Sequence, residues 1–131
     1  MQTTRTDWGR RQPPVGGTSF ELQAWFFMRV SGLALVFLAV WHMFIMHVFN
    51  DTLNLDYDFV AARWETSYWR AFDRLLLTLS LLHGTNGLRV VIHDNLPDKT
   101  IRKLAHSVLY GTSLIFFIIG TYAIVAFVRQ V

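Results

Sequence analysis

The sequence has no cysteine among its 131 residues. This excludes disulfides, thiolate catalysis, zinc–thiolate sites and any iron–sulfur cluster held by this chain alone. Charge is scarce as well: 16% of residues are charged, against roughly 25% in an ordinary soluble domain. There is no internal repeat, low-complexity tract, glycine-rich nucleotide loop or nucleophile elbow. What is abundant is apolar, with 53% hydrophobic and 15% aromatic residues. The net charge of +3 is the excess of 12 basic over 9 acidic residues. The basic residues are scattered among long apolar runs, which suits the flanks of membrane spans better than a nucleic-acid-binding face.

Three apolar runs, 25–49, 69–92 and 104–128, are long enough to cross about 30 Å of hydrocarbon, for which roughly 20 helical residues suffice. They predict one all-α integral membrane domain of three transmembrane helices, too small to bury a core of its own. Residues 1–24 read as a polar tail with Pro13-Pro14 and Gly16-Gly17, after which Thr18 or Ser19 can cap the first span. A cleaved signal peptide is not expected: the apolar run starts late, is too long and has no cleavage pattern after it. Arg5, Arg10, Arg11 and Arg29 flank the first span, and Arg89, Lys99, Arg102 and Lys103 lie between the second and third. The loop 50–68 is acidic, with Asp51, Asp56, Asp58 and Glu65 against a lone Arg63. The positive-inside rule then puts the N-terminus in the cytoplasm and the C-terminus outside the cytoplasmic membrane.

The second span is interrupted by His83, Asn86 and Arg89. Polar groups facing lipid are costly, so these should face protein or a cofactor. In a chain without cysteine, an imidazole within a span is the strongest haem ligand available, and both His42 and His83 lie within spans. For each the alternative is a packing histidine bonded to a neighbouring helix. In Leu82-His83-Gly84-Thr85-Asn86-Gly87-Leu88-Arg89 two glycines follow the histidine, leaving a patch that a flat macrocycle or another helix can approach. His83, Gly87, Val90 and Asp94 share one helix face. Arg89 can meet an anion such as a haem propionate, or serve as a basic anchor. Arg29 and Ser31, at the head of span one, can bind propionates or a quinone carbonyl; otherwise they are an anchor and a small-residue helix contact. His42 lies on the face of Ser31, whereas His47 points about 140° away. Counted from the span ends, His42 and His83 differ by about 6–12 Å in depth, which argues against one shared iron. His93 and His106 fall at the cytoplasmic boundary.

Arg29-Val30-Ser31-Gly32, followed by His83, Gly87, Arg89 and Asp94 with histidine and aspartate eleven residues apart, resembles a known pattern. It is that of the cytochrome b-type membrane anchors of succinate dehydrogenase and fumarate reductase, the succinate:quinone oxidoreductases. The resemblance covers about residues 20–128 and includes three spans with a cytoplasmic N-terminus. The wording is most similar to the smaller, D-type anchor of actinobacterial-type enzymes. It implies half of a two-chain anchor bundle, paired with a second, C-type anchor. An iron–sulfur subunit and a flavoprotein subunit, which carry the succinate chemistry, would dock on the cytoplasmic side. It further implies haem b, one or two shared between the anchors, and quinone as substrate. His83 carries over as an axial iron ligand, Arg29 and Ser31 to the propionate and quinone region, and Asp94 to the edge of that region. His42 is either the ligand of a second, distal haem or structural. The sequence departs from many relatives at Asn95, where they have a tyrosine whose hydroxyl can bond quinone; asparagine can still donate a hydrogen bond there. Two further readings stay open: a haem-free structural anchor, and an unrelated small transport or assembly subunit.

Overall fold

A computed structural model describes residues 19–50, 53 and 55–126. Four helices follow in order: α1 (Ser19–His47), α2 (Tyr57–Trp64), α3 (Ser67–Asn95) and α4 (Lys99–Ala126). No strand occurs among the described residues. Helices α1, α3 and α4 are long enough to cross a membrane, and each contains a stretch of 18 residues that is apolar enough, with mean hydropathies of 1.8, 1.4 and 2.0 over that stretch. The expected all-α, three-span architecture is therefore the one found. A helix of 29 residues is about 43 Å long, so its ends overhang the hydrocarbon and can carry polar side chains.

Two features differ from the sequence expectation. Helix α1 begins at Ser19, so residues 19–24 of the expected tail are helical. Glu21 falls in the first turn, where a carboxylate complements the exposed amides and the helix dipole. The rest of the tail, including Thr18, lies outside the described residues. The acidic loop also contains a helix of its own, α2. It starts where the Asp56 side chain accepts a hydrogen bond from the Phe59 amide at 2.9 Å, a cap that compensates for the few bonds of a two-turn helix.

A tight connection joins α3 to α4. Leu96 closes the end of α3 on the Ile92 carbonyl, Pro97 follows, and Asp98 Oδ1 accepts from the amides of Thr100 and Ile101 at 2.8 and 2.9 Å. A proline after one helix and an aspartate capping the next are the local signals for this reversal. Helix α3 is central, with α1, α2 and α4 all packed against it. On the α4 side Leu77 sits so close to Gly120 that a Cβ there would lie 2.7 Å from Leu77 Cδ2. Thr85 and Ser113 add a 2.7 Å hydroxyl–hydroxyl hydrogen bond between the helices, a polar contact typical of helix pairs in membranes.

Few side chains are buried: Ser31, Ile45, Ala61, Phe72 and Ile124 among the described residues. Large apolar groups such as Leu33, Phe37, Leu114 and Ile118 face outward instead. A surface of this kind suits lipid or a partner helix and is out of place in water.

Helix α2 is fastened to α3 by charge. Asp73 accepts from Arg63 Nη2 at 2.8 Å and from Trp64 Nε1 at 2.7 Å, and the Arg63 guanidinium lies 4.8 Å from the centre of the Trp69 ring. The Arg63 side chain is 8% exposed, so the lone cation of the acidic loop is inserted into the bundle. Asp73→Ala would remove the carboxylate that accepts from the part-buried Arg63 Nη2 and Trp64 Nε1, at a cost of about 3 kcal/mol. The expected outcome is a lower unfolding temperature and faster proteolysis between α1 and α3, with Asp73→Glu partly restoring both. Cleavage at the parental rate in the alanine variant would show that Asp73 does not hold α2.

Candidate functional site

Helices α1 and α3 run antiparallel, and three polar contacts bridge their seam. At one end Arg89 donates through Nη1 and Nη2 to the Glu21 carboxylate at 3.1 and 3.3 Å, and through Nε to Asn86 Oδ1 at 3.0 Å. In the middle, Ser31 Oγ is 2.8 Å from His83 Nδ1. At the acidic-loop end, His42 Nδ1 lies 3.5 Å from Asp73 Oδ1, an electrostatic approach longer than a good hydrogen bond. The α1 members are ten and eleven residues apart, roughly three turns each, so the contacts follow one another along the seam about every 15–17 Å. His42 and His83 consequently sit at different levels of the bundle.

The middle contact is the most enclosed. Ser31 is 2% exposed, the one buried polar residue among those described, and its Oγ also lies 2.6 Å from the Phe27 carbonyl. The adjacent Gly32 explains how the imidazole comes so close: a Cβ at that position would be 3.2 Å from His83 Cε1. The sequence pointed instead to Gly84 and Gly87 as the side-chain-free patch beside the ring. Gly84 is one residue on and about 100° around the helix, where a Cβ would meet nothing within 4 Å, and Gly87 packs against Met28. The glycine that touches the imidazole lies across the seam, in Arg29-Val30-Ser31-Gly32. Helical periodicity within α3 does not reveal it.

The other ring nitrogen of His83, Nε2, has no hydrogen-bond partner among the described residues. The side chain is thus held by one edge and offers the other, as ligating histidines usually are. No cluster of three or more His, Asp or Glu suited to a bare metal ion occurs among the described residues. This donor set fits a group that takes a single axial imidazole from the chain, as haem does.

A cavity of about 500 Å³ opens beside this seam at its basic end, lined by Glu21, Trp25, Met28, Arg29, Gly87 and Arg89 among others. Arg29 and Arg89 therefore share one cavity. The Arg29 guanidinium lies 3.6 Å from the centre of the Trp25 ring, while Arg89 is held by Glu21. Ser31 does not line this cavity. Asp94 is exposed in the last turn of α3, outside the lining. The Asn95 amide donates to its own helix, to the Val91 carbonyl at 2.8 Å.

A second cavity, of about 420 Å³, lies at the acidic-loop end and includes His42, Met46, Arg63, Trp64, Asp73 and Leu77. The His42 ring is nearly parallel to that of Phe72, with centroids 6.3 Å apart. Sequence reasoning missed Glu21, Asp73 and Arg63. The available signals were an acid within an apolar span, the lone cation of an acidic loop, and an acid, Glu21, at the mouth of the first apolar run.

A family model described as succinate dehydrogenase/fumarate reductase transmembrane subunit matches residues 10–120. No individual curated protein matches the chain.

The berth of His83 yields a graded test. Gly32→Ala asks the ring to yield by a few tenths of an ångström, whereas Gly32→Val adds two methyls to the crowded contact and should cost about 1–3 kcal/mol. In detergent-solubilised protein the unfolding temperature should fall slightly for alanine and clearly for valine. Equal tolerance of both would show that the close approach at Gly32 is not required.

Proposed function

The chain belongs to the succinate dehydrogenase/fumarate reductase transmembrane subunit family, and on that premise we propose that it holds haem b through His83, jointly with a second anchor, and forms one wall of a quinone site. The observation that carries this reading is the His83 imidazole, bound at Nδ1 by Ser31 and open at Nε2. When bound, haem b supplies a one-electron carrier within the anchor. The chain would offer it the His83 Nε2, together with apolar side chains and two guanidinium groups at the basic end. Arg89 has five N–H donors; three serve Glu21 and Asn86, so two remain for a propionate or a quinone carbonyl. Arg29 supplies the second cation, Trp25 and Met28 the flat and apolar lining. Asp94 marks the outer edge of this region.

The basic end is read as cytoplasmic, with the C-terminus outside, because Arg29, Arg89, Lys99, Arg102 and Lys103 gather at that side while the loop between α1 and α3 is acidic. An iron–sulfur subunit and a flavoprotein subunit would dock there. With no cysteine here, the clusters must belong to such a partner. His42 is proposed as the ligand of a second, distal haem. In support, it lines its own cavity, with the Asp73 carboxylate 3.5 Å from its Nδ1.

Both ligand assignments are tested by a pyridine haemochrome assay on the purified complex, normalised to covalent flavin. His83→Ala should remove one haem per flavin; an unchanged ratio in an assembled complex would overturn its assignment, and a parental complex without a b-type band would identify a haem-free anchor. His42→Ala should lower a ratio of two to one. If the ratio does not move, His42 is a structural member of the Asp73 contact.

A further inference from the structure

We infer that Ser31 is a positioning residue for His83: its hydroxyl sets the imidazole tautomer with the proton on Nδ1 and aims Nε2 as the ligating nitrogen. The inference rests on the reading of His83 as a haem ligand. It gives Ser31 a role different from the propionate or quinone contact expected from sequence, since Ser31 is 2% exposed and does not line the basic-end cavity.

The argument is a proton count. Ser31 Oγ lies 2.6 Å from the Phe27 carbonyl oxygen, a separation that requires a proton between the two oxygens. The carbonyl has none to give, so the serine hydroxyl is the donor there. A hydroxyl has one proton, and this one is spent. The 2.8 Å contact between Ser31 Oγ and His83 Nδ1 must then be made by an Nδ1–H donating to a lone pair of Oγ. In the neutral imidazole this leaves the lone pair on Nε2. The chain Nδ1–H to Oγ–H to backbone carbonyl is directional, and each bond polarises the next. It draws the Nδ1 proton outward and increases electron density on the ring, which strengthens Nε2 as a ligand and favours the more oxidised state of a bound iron. Gly32 completes the device from the same turn of α1: with its missing Cβ only 3.2 Å from Cε1, the ring is confined against backbone and cannot turn freely away from Oγ.

The test uses the intact complex and reads the haem in place of turnover. Ser31→Ala should retain haem, raise its midpoint potential and alter the low-spin ferric EPR signal, because the ring loses both its acceptor and its angular anchor. Ser31→Thr keeps a hydroxyl that can bond the i−4 carbonyl within a helix, and should keep the parental potential and signal. Parental potential and EPR signal in Ser31→Ala would overturn the inference, as would equal shifts in the alanine and threonine variants. Should Ser31→Ala lose haem altogether, retention by Ser31→Thr supports the hydroxyl's role and loss from both variants refutes it. His83→Ala, measured alongside, separates the two levels: full haem content there removes the ligand reading itself. Haem loss in His83→Ala together with a silent Ser31→Ala removes only the role of Ser31.

Discussion

The arrangement depends on placing an imidazole between two apolar helices with its polar atoms accounted for. In hydrocarbon there is no water to satisfy a stray donor, and an unbonded polar group costs several kcal/mol. The bond between Ser31 and His83 meets that demand for one ring nitrogen and, in doing so, selects the register of α1 on α3. Sliding either helix by one turn would move the imidazole about 5.4 Å, away from both the hydroxyl and the glycine that admits it. Glu21–Arg89 and His42–Asp73 lie along the same seam, so the register that suits the middle also brings polar side chains together at both ends. Consistency of this kind distinguishes one packing from its neighbours better than apolar contact does, since lipid tails compete with leucine on equal terms.

This seam accounts for the central position of α3. Its α1 side carries His83, Asp73 and Arg89, while its α4 side carries Thr85 and Leu77. The low hydropathy of α3 relative to α1 and α4 is the cost of serving both neighbours with polar atoms. Helices α1 and α4 turn their outer surfaces, rich in leucine, isoleucine and phenylalanine, away from the bundle. For a soluble domain that distribution would be inverted; here it is the expected boundary with lipid or with a second anchor.

The architecture was legible because hydropathy and charge report directly on membrane spans. Runs of apolar residues identified all three long helices, and the interruptions by His83, Asn86 and Arg89 marked the polar seam with α1. Helix ends were less legible: residues 19–24 mix Phe20 and Leu22 with Glu21, and only the tertiary bond to Arg89 shows why a charged residue there is helical. Helix α2 was hidden because eight residues are too few for a hydrophobic period to stand out, and it is secured by Asp73, a residue of a different helix. The site was half legible for a similar reason. Arg29, Ser31, His83 and Arg89 form a pattern along the chain, but Glu21 and Gly32 matter through what they meet across the seam.

The polar groups of the seam also bear on when it forms. Asp73 is satisfied by Arg63 and Trp64, Arg89 by Glu21 and Asn86, and His83 Nδ1 by Ser31, all from within this chain. None of these pairs needs a cofactor or a partner subunit to close. The α1–α3 pair can therefore insert and settle into register as a unit, with the imidazole already oriented and the guanidinium groups already gathered at one cavity. Side chains held in advance in this way would lose less entropy on binding a ligand. The free edge of His83 is then the counterpart of the enclosed edge: Ser31 and Gly32 fix the direction of the ring, and with it the side on which Nε2 is presented.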